Sequence, residues 1–137
     1  MIKTLQRQYI PYLRDIDIRA HKFPLTETVW DNIHNVIVRV WLVHNIPRGF
    51  AAFSVASPNE ICVFKLAVHP EWQCMGIGQA LHSDLLRLTK WKKLTTRVHE
   101  ENINTILWLQ KNGWLATEII KENYPDNRDA FVFEREN

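Results

Sequence analysis

The sequence predicts an α+β sandwich, with helices flanking a mixed, mostly antiparallel sheet. Runs rich in β-branched residues are interspersed with stretches whose apolar residues recur at helical spacing. One apolar run also leads through a glycine turn straight into a helical pattern. With 137 residues, 46% of them hydrophobic, and no internal repeat, the chain can bury one core. Residues 1–137 are therefore predicted to form a single domain.

The chain is predicted to begin with two helices. Residues 11–21 carry apolar positions at helical spacing, and the following Phe23-Pro24 stops a helix. Thr26 is then predicted to cap a second, short helix that runs to Asn32.

Strands follow these helices. Residues 36–43 and 49–56 predict a hairpin, with Asn45-Ile46-Pro47-Arg48 as its turn. Residues 61–68 form a nearly unbroken apolar run, which is typical of a central strand covered on both faces. His69-Pro70 ends that strand.

The second half of the chain alternates helices and strands. The patterns predict a helix over 78–90, a strand over 94–98, a helix over 102–112, and strands over 115–121 and 130–134. Gly113 is the expected stop of the second of these helices.

Composition excludes several classes of protein. The formal net charge of +2 is too small for a surface that reads nucleic-acid phosphates. Two cysteines, Cys62 and Cys74, make no disulfide framework, which fits a reducing compartment. No apolar run approaches the roughly 18 residues that cross a bilayer. A cytoplasmic protein without a membrane partner is predicted, and both a monomer and a homodimer remain open.

The turn from Gln73 to Gly78 carries the strongest chemical signal. A loop that leaves a strand and opens a helix points backbone N–H groups outward, and these favour an anion. Gly76 and Gly78 let a phosphate approach the main chain. No lysine follows Gly78, and Leu81 stands where a dinucleotide fingerprint needs a third glycine, so neither of those phosphate loops fits. Taken alone, the turn is equally consistent with a purely structural role.

Residues 66–81 resemble the acetyl-CoA motif of the GNAT N-acetyltransferase superfamily, Q/R-x-x-G-x-G/A after a strand. Asn102 and Gly113-Trp114 also stand where that family has an asparagine and a glycine–aromatic pair. The resemblance extends over nearly the whole chain. Within the superfamily, the segments 19–24, 60–70, 123–125 and 128–130 resemble the RimI-type ribosomal-protein alanine N-acetyltransferases.

This resemblance implies the GNAT acyl-CoA N-acyltransferase fold and acetyl-CoA as cosubstrate. It implies that the backbone from Cys74 to Gln79 cradles the pyrophosphate, while the pantetheine arm pairs with a strand. The implied cofactor-binding residues are Leu66, Ala67, Val68, Gln73, Cys74, Met75, Gly76, Ile77, Gly78, Gln79 and Asn102.

The sequence departs from the family at both expected catalytic positions. The position of the proposed glutamate base holds Arg97, which as a cation cannot accept a proton, and the position of the tyrosine acid holds Leu109. His99 shares a predicted strand face with Arg97 and is the candidate base; the alternative is a solvated residue at the strand end. Tyr124 is the candidate acid or substrate-binding residue, or else only packs beside Pro125. Arg97 is a candidate substrate-binding residue.

The expected function is acetyl transfer from acetyl-CoA to an amine, with the α-amine of a protein N-terminus as the first acceptor to consider. Two alternatives remain open: a catalytically impaired acetyl-CoA-binding module that regulates a partner, and an acyltransferase for a small-molecule or nucleobase amine. The six histidines show no metal-ligand spacing, so no metal is predicted.

Overall fold

A computed structural model describes residues 1–88 and 90–137. Its helices are α1 (Ile10–Ala20), α2 (Glu27–Asp31), α3 (Ile77–Leu88) and α4 (Ile103–Lys111). Its strands are β1 (Ile2–Thr4), β2 (Ile37–Val43), β3 (Ile46–Ser57), β4 (Glu60–Val68), β5 (Lys93–His99), β6 (Leu115–Ile120) and β7 (Ala130–Glu136). Short 3-10 turns lie at Arg7–Tyr9, Ile33–Asn35 and Pro70–Trp72.

The strands are hydrogen-bonded in the order β1-β2-β3-β4-β5-β7-β6, which confirms the mixed sheet. The β4–β5 pair is parallel, with Ile61 opposite Leu94. The pairs β1–β2, β2–β3, β5–β7 and β6–β7 are antiparallel. The predicted central strand is therefore the fourth of seven, although Phe64 within it is exposed.

The chain divides into two compact units. The first comprises residues 1–54 and 64–90. Successive residues of a strand point to opposite faces of the sheet. Phe50 and Ala52 of β3 join one apolar cluster with residues of α1 and α2, while Ala51 joins another with Ile77 and Leu81 of α3. Helix α3 therefore packs on the sheet face opposite to α1 and α2.

Gly49 of β3 allows α3 to approach the sheet closely. A Cβ at this position would lie 2.9 Å from the Ile77 side chain and 3.1 Å from the Ala67 carbonyl oxygen. Real Cβ atoms do not tolerate the shorter distance, so the first turn of α3 sits where only glycine leaves room for it.

The second unit comprises residues 55–63 and 91–137. Asn102 caps α4 by accepting a hydrogen bond from the Thr105 amide at 3.4 Å. Gly113, with φ +87°, ends α4, as predicted. The buried apolar residues of this unit are Ile61, Val63, Trp91, Leu94, Val98, Leu109, Trp114, Ala130 and Phe133.

The structure corrects the predicted hairpin turn. His44 and Asn45, with φ 49° and 65°, make the turn, and residues 46–48 already belong to β3. Two consecutive left-handed residues are the geometry of the two-residue hairpin turn, whose twist matches that of its strands. Pro47 tolerates strand structure because the β2–β3 register shifts at Trp41/Leu42 beside it.

Two further differences concern the ends of the chain's elements. The helix predicted over 78–90 begins at Ile77 and is described as far as Leu88; Lys90 lies outside the helix, and Thr89 lies outside the described residues. Strand β1 was not predicted, because three residues show no recognisable periodicity. Within residues 1–88 and 90–137, no helix has the length and apolar character needed to cross a bilayer.

Candidate active site

The predicted anion loop has the backbone geometry of a cradle. Cys74 and Gly76 have left-handed backbones, with φ 64° and 84°. Residues Gln73 to Gly76 are exposed, whereas Ile77 is buried and anchors the start of α3. The Ala80 amide bonds back to the Gly76 carbonyl oxygen at 2.9 Å, so the helical hydrogen bonds begin there.

Several features of this cradle favour an anion. The amides of Ile77 and Gly78 belong to the first helical turn, and helix geometry gives these amides no acceptor inside α3. A Cβ built on Gly76 meets nothing within 4 Å, so the surface beside this residue is open. Together with the positive end of the helix dipole, amides of this kind favour an anion such as a phosphate.

The strand that leads into the loop is tied to it by Gln73. The Gln73 side-chain amide donates a hydrogen bond to the Val68 carbonyl oxygen at 3.1 Å. The His69 amide donates to the Arg48 carbonyl oxygen at 2.8 Å, and the His69 ring accepts a hydrogen bond from the Glu71 amide. The histidine thus has the structural turn role that its place before proline favours. Leu66, Ala67 and Val68 occupy the last three positions of β4, next to the loop.

Arg48 places a positive charge next to the loop, although no sequence pattern predicted a role for it. Its guanidinium lies over the Trp72 ring at 5.1 Å, which brings a cation to the turn preceding the loop. Its Nε atom is buried and has no hydrogen-bond partner among the described residues. Nothing in the sequence around Arg48 signals this position, because it depends on how β3 pairs with the end of β4.

A buried ionic cluster holds Lys65 of β4, the residue before Leu66. Lys65 lies 3.2 Å from the fully buried carboxylate of Asp17, and its ammonium also donates to the Phe23 carbonyl oxygen at 3.3 Å. The Leu25 amide donates to Asp17 at 2.6 Å. Burial, followed by the charge of Lys65, lowers the pKa of His21 to about 4. The cluster joins α1 and the segment after it to β4.

In the second unit, β5 carries both residues that the sequence singled out there. Arg97 and His99 lie two positions apart on the strand and share a face, as predicted. Their neighbourhood is completed by the loop of residues 121–129, between β6 and β7. The Arg97 guanidinium donates to the Asn123 side-chain oxygen at 3.3 Å, and the His99 ring packs against the Tyr124 ring with centroids 4.7 Å apart.

His99 is not the solvated strand-end residue that the sequence also allowed. Only 11% of its side chain is exposed, and its Nε2 lies 2.8 Å from an Asp126 carboxylate oxygen. Its Nδ1 accepts a hydrogen bond from the Glu101 amide at 3.0 Å. The ring therefore carries its proton on Nε2 and donates it to Asp126. Both nitrogens are engaged in this arrangement, which suits positioning better than proton abstraction.

Tyr124 is held as a phenol. Burial raises its pKa, the nearby charge of Arg97 opposes the rise, and that of Asp126 adds to it. Its backbone is fixed as well, because its amide donates to the Arg128 carbonyl oxygen at 3.3 Å and its own carbonyl oxygen accepts from Asn127. A phenol with a raised pKa can donate a hydrogen bond or a proton and does not act as a base at neutral pH.

Two predicted positions have structural roles. Asn102, the implied cofactor contact, caps α4 with its side-chain oxygen. Leu109, at the position of the family's tyrosine acid, is 5% exposed and belongs to the core. No acid is therefore available at that position.

One potential metal-ligand atom from each of His99, Glu101 and Asp126 lies within 4.8 Å of the other two. The hydrogen bonding of His99 does not fit a metal, because a ligating Nε2 needs its proton on Nδ1, and that atom already faces the Glu101 N–H. The prediction of no metal remains a prediction, which this contact supports.

Comparison with known proteins assigns the family. Residues 3–114 match the model of the acetyltransferase (GNAT) family. The chain is 26% identical to the [ribosomal protein bS18]-alanine N-acetyltransferase of Escherichia coli strain K12, in an alignment that covers 96% of this chain and 93% of the relative.

Solved structures agree on the fold. The crystal structure of the ribosomal-protein-S18-alanine N-acetyltransferase from Escherichia coli superposes with a TM-score of 0.87 at 25% identity, covering 99% of this chain and 92% of that one. A GNAT family acetyltransferase from Elizabethkingia anophelis with acetyl-CoA bound superposes with a TM-score of 0.85 at 21% identity, covering 100% and 97%. This chain therefore belongs to the acetyltransferase (GNAT) family and is an N-acetyltransferase with acetyl-CoA as its cosubstrate.

Proposed function

We propose that this enzyme transfers the acetyl group of acetyl-CoA to the α-amine of a protein or peptide N-terminus. The amine nitrogen attacks the thioester carbonyl carbon, a C–N bond forms, the C–S bond breaks, and the proton lost by nitrogen balances the one gained by the departing thiolate. The observation that carries the proposal is the cradle from Cys74 to Gly78 at the start of α3.

Backbone strain supports a ligand-binding role for the cradle. Cys74 is not glycine, and a left-handed backbone costs such a residue about 1–2 kcal/mol. Strain of this kind persists where the surrounding structure holds it, and it clusters at ligand-binding loops. We propose that acetyl-CoA binds the residues named above from Leu66 to Val68 and from Gln73 to Gln79.

The side chains of the second unit favour an α-amine over a lysine side chain. An α-amine, with a pKa near 8, is neutral in about one molecule in ten at pH 7, whereas a lysine amine is neutral in about one in two thousand. A lysine acceptor thus needs a base far more. Arg97 stands at the family's base position and both nitrogens of His99 are engaged, so the acceptor that needs least help fits best.

Tyr124 is the proposed proton donor or acceptor-binding group of this reaction, with Arg97 as a second substrate-binding residue. The raised pKa of Tyr124 keeps its proton available. His99 and Asp126 would then position the Tyr124 ring. We further propose that residues 1–137 work as one domain, as a monomer or homodimer, in the cytoplasm, where the two free cysteines suit reducing conditions.

The test compares two peptides with acetyl-CoA. One has a free α-amine and no lysine, and the other has a blocked N-terminus and a single lysine. We expect acetylation of the first peptide only, located by fragment mass spectrometry. Acetylation confined to the lysine peptide, or of neither peptide under conditions where calorimetry shows acetyl-CoA bound, would contradict the proposal.

A further inference from the structure

Four acidic residues in and beside the loop of residues 121–129 pair with neighbouring basic side chains. Asp126 pairs with His99 at 2.8 Å and Asp129 with Lys121 at 3.2 Å. Arg128 bridges two carboxylates, Glu100 at 3.4 Å and Glu101 at 3.0 Å. These four carboxylates therefore have partners other than Arg97.

Arg97 takes part in none of these pairs. Its side chain is exposed, and its partner is the neutral Asn123 oxygen at 3.3 Å. Across residues 1–88 and 90–137, no carboxylate lies within 4.0 Å of its guanidinium. A guanidinium has five N–H donors in a planar fork, and the bond to Asn123 uses one of them. Most of its hydrogen-bonding capacity remains directed at solvent.

The hydrogen bond to Asn123 also restrains the position of the Arg97 guanidinium. The bond links β5 to the loop residue that directly precedes Tyr124, so the guanidinium lies near the phenol, as its electrostatic effect on Tyr124 requires. The Tyr124 ring is itself packed against His99. A planar cationic donor and a neighbouring phenol, both on restrained elements, form a surface complementary to a carboxylate.

We propose that Arg97 binds a carboxylate of the acceptor, so that the preferred substrates are peptides with aspartate or glutamate next to the acetylated N-terminal residue. The inference rests on the proposed function and names its substrate class. It also gives a physical reason for a cation at the family's base position, since the position is used for acceptor selection rather than for proton abstraction.

The test uses three peptides that differ only at the second residue, which is Glu, Gln or Lys. For the unaltered enzyme we expect kcat/KM to fall at least about tenfold from Glu to Gln, mainly through KM, and further for Lys. Arg97→Gln should make the Glu and Gln peptides equal, and Arg97→Glu should invert the order so that Lys is preferred. Lys111→Glu, the same charge reversal at an exposed site on the last turn of α4, should preserve the original order.

Two outcomes would overturn the inference while leaving the proposed function intact. One is equal kcat/KM for the Glu and Gln peptides with the unaltered enzyme. The other is a change of preference in Lys111→Glu as large as in Arg97→Glu, which would indicate a net-charge effect. If none of the three peptides is acetylated while acetyl-CoA binds, the proposed function fails and this inference with it. Circular dichroism of each variant confirms that the comparison is between folded proteins.

Discussion

At the scale of single residues, a substitution at Gly76 should affect acetyl-CoA binding much more than folding stability. Its φ of +84° makes a side chain costly, yet a Cβ there meets no neighbouring atom, so Gly76→Ala should lower stability only by the backbone cost of about 1 kcal/mol. The added methyl group would occupy the open surface above the amides. We expect the Kd for acetyl-CoA to rise by at least about tenfold, measured by isothermal titration calorimetry.

Gly113 supplies the matched control. It has nearly the same φ, +87°, but ends α4 in the other compact unit. Gly113→Ala should cost at least as much stability, because a Cβ there would also lie 3.3 Å from the Arg135 Nε, and should leave the Kd unchanged. Equal weakening of acetyl-CoA binding in both variants would show that the effect is one of stability, and the role of the cradle would be lost.

His21 links the buried ionic cluster to pH. Its pKa is near 6.5 in the unfolded chain and about 4 in the folded protein. The unfolded chain therefore binds a proton first as the pH falls, and stability is lost between about pH 6.5 and 4 while it is fully present above that range. From pH 7 to pH 5 this linkage amounts to about 2 kcal/mol.

The measurement is urea unfolding of the protein and of His21→Gln at both pH values. Glutamine does not titrate, so the pH-dependent loss of the variant should be smaller by about that 2 kcal/mol. Identical losses in the two proteins would mean that His21 is protonated in the folded state and that the cluster accommodates its charge.

At the scale of elements, an ion pair fixes α3 against the sheet. Arg39 of β2 makes two hydrogen bonds to Asp84 of α3, at 2.8 and 3.3 Å, and the two side chains are only 17% and 13% exposed. Removing one partner leaves the other charge mostly buried and without its ion-pair partner. Arg39→Met should therefore cost about 2 kcal/mol, between the values typical of exposed and of fully buried pairs.

Urea unfolding midpoints at constant slope measure this loss. The pair Arg19–Asp15 is the control, because it is also carboxylate–guanidinium but more than half exposed, and Arg19→Met should change stability by less than about 0.5 kcal/mol. Equal losses in the two variants would remove the claim that Arg39 anchors the helix that begins at the cradle.

At the scale of the whole molecule, local sequence patterns predicted most of the helices and strands. The features that these patterns missed depend on pairing between residues far apart in the sequence. The helix cap at Thr26 and the helix stop at Gly113 were predictable because each depends on a few adjacent residues. Strand β1 was not, since its three residues are strand only through pairing with β2. For the same reason the sequence predicted an anion loop at residues 73–78 but gave no hint of Arg48 or of the bond between His99 and Asp126.

The prediction that residues 1–137 form one domain has a direct test. Each compact unit holds three tryptophans: Trp30, Trp41 and Trp72 in the first, Trp91, Trp108 and Trp114 in the second. A single domain unfolds in one step, with equal calorimetric and van't Hoff enthalpies. Acetyl-CoA at 100 times its Kd should then add about 2.7 kcal/mol to the stability of the entire chain, although the cradle lies in the first unit only.

Calorimetry with and without acetyl-CoA therefore decides between one domain and two. We expect one transition that moves to higher temperature as a whole, and slower amide exchange in β6 and β7 as well as in α3, because global unfolding limits exchange throughout a cooperative unit. Two transitions, of which acetyl-CoA moves only one, would mean that the units fold independently. In that case ligand binding in the first unit would leave exchange in β6 and β7 unchanged.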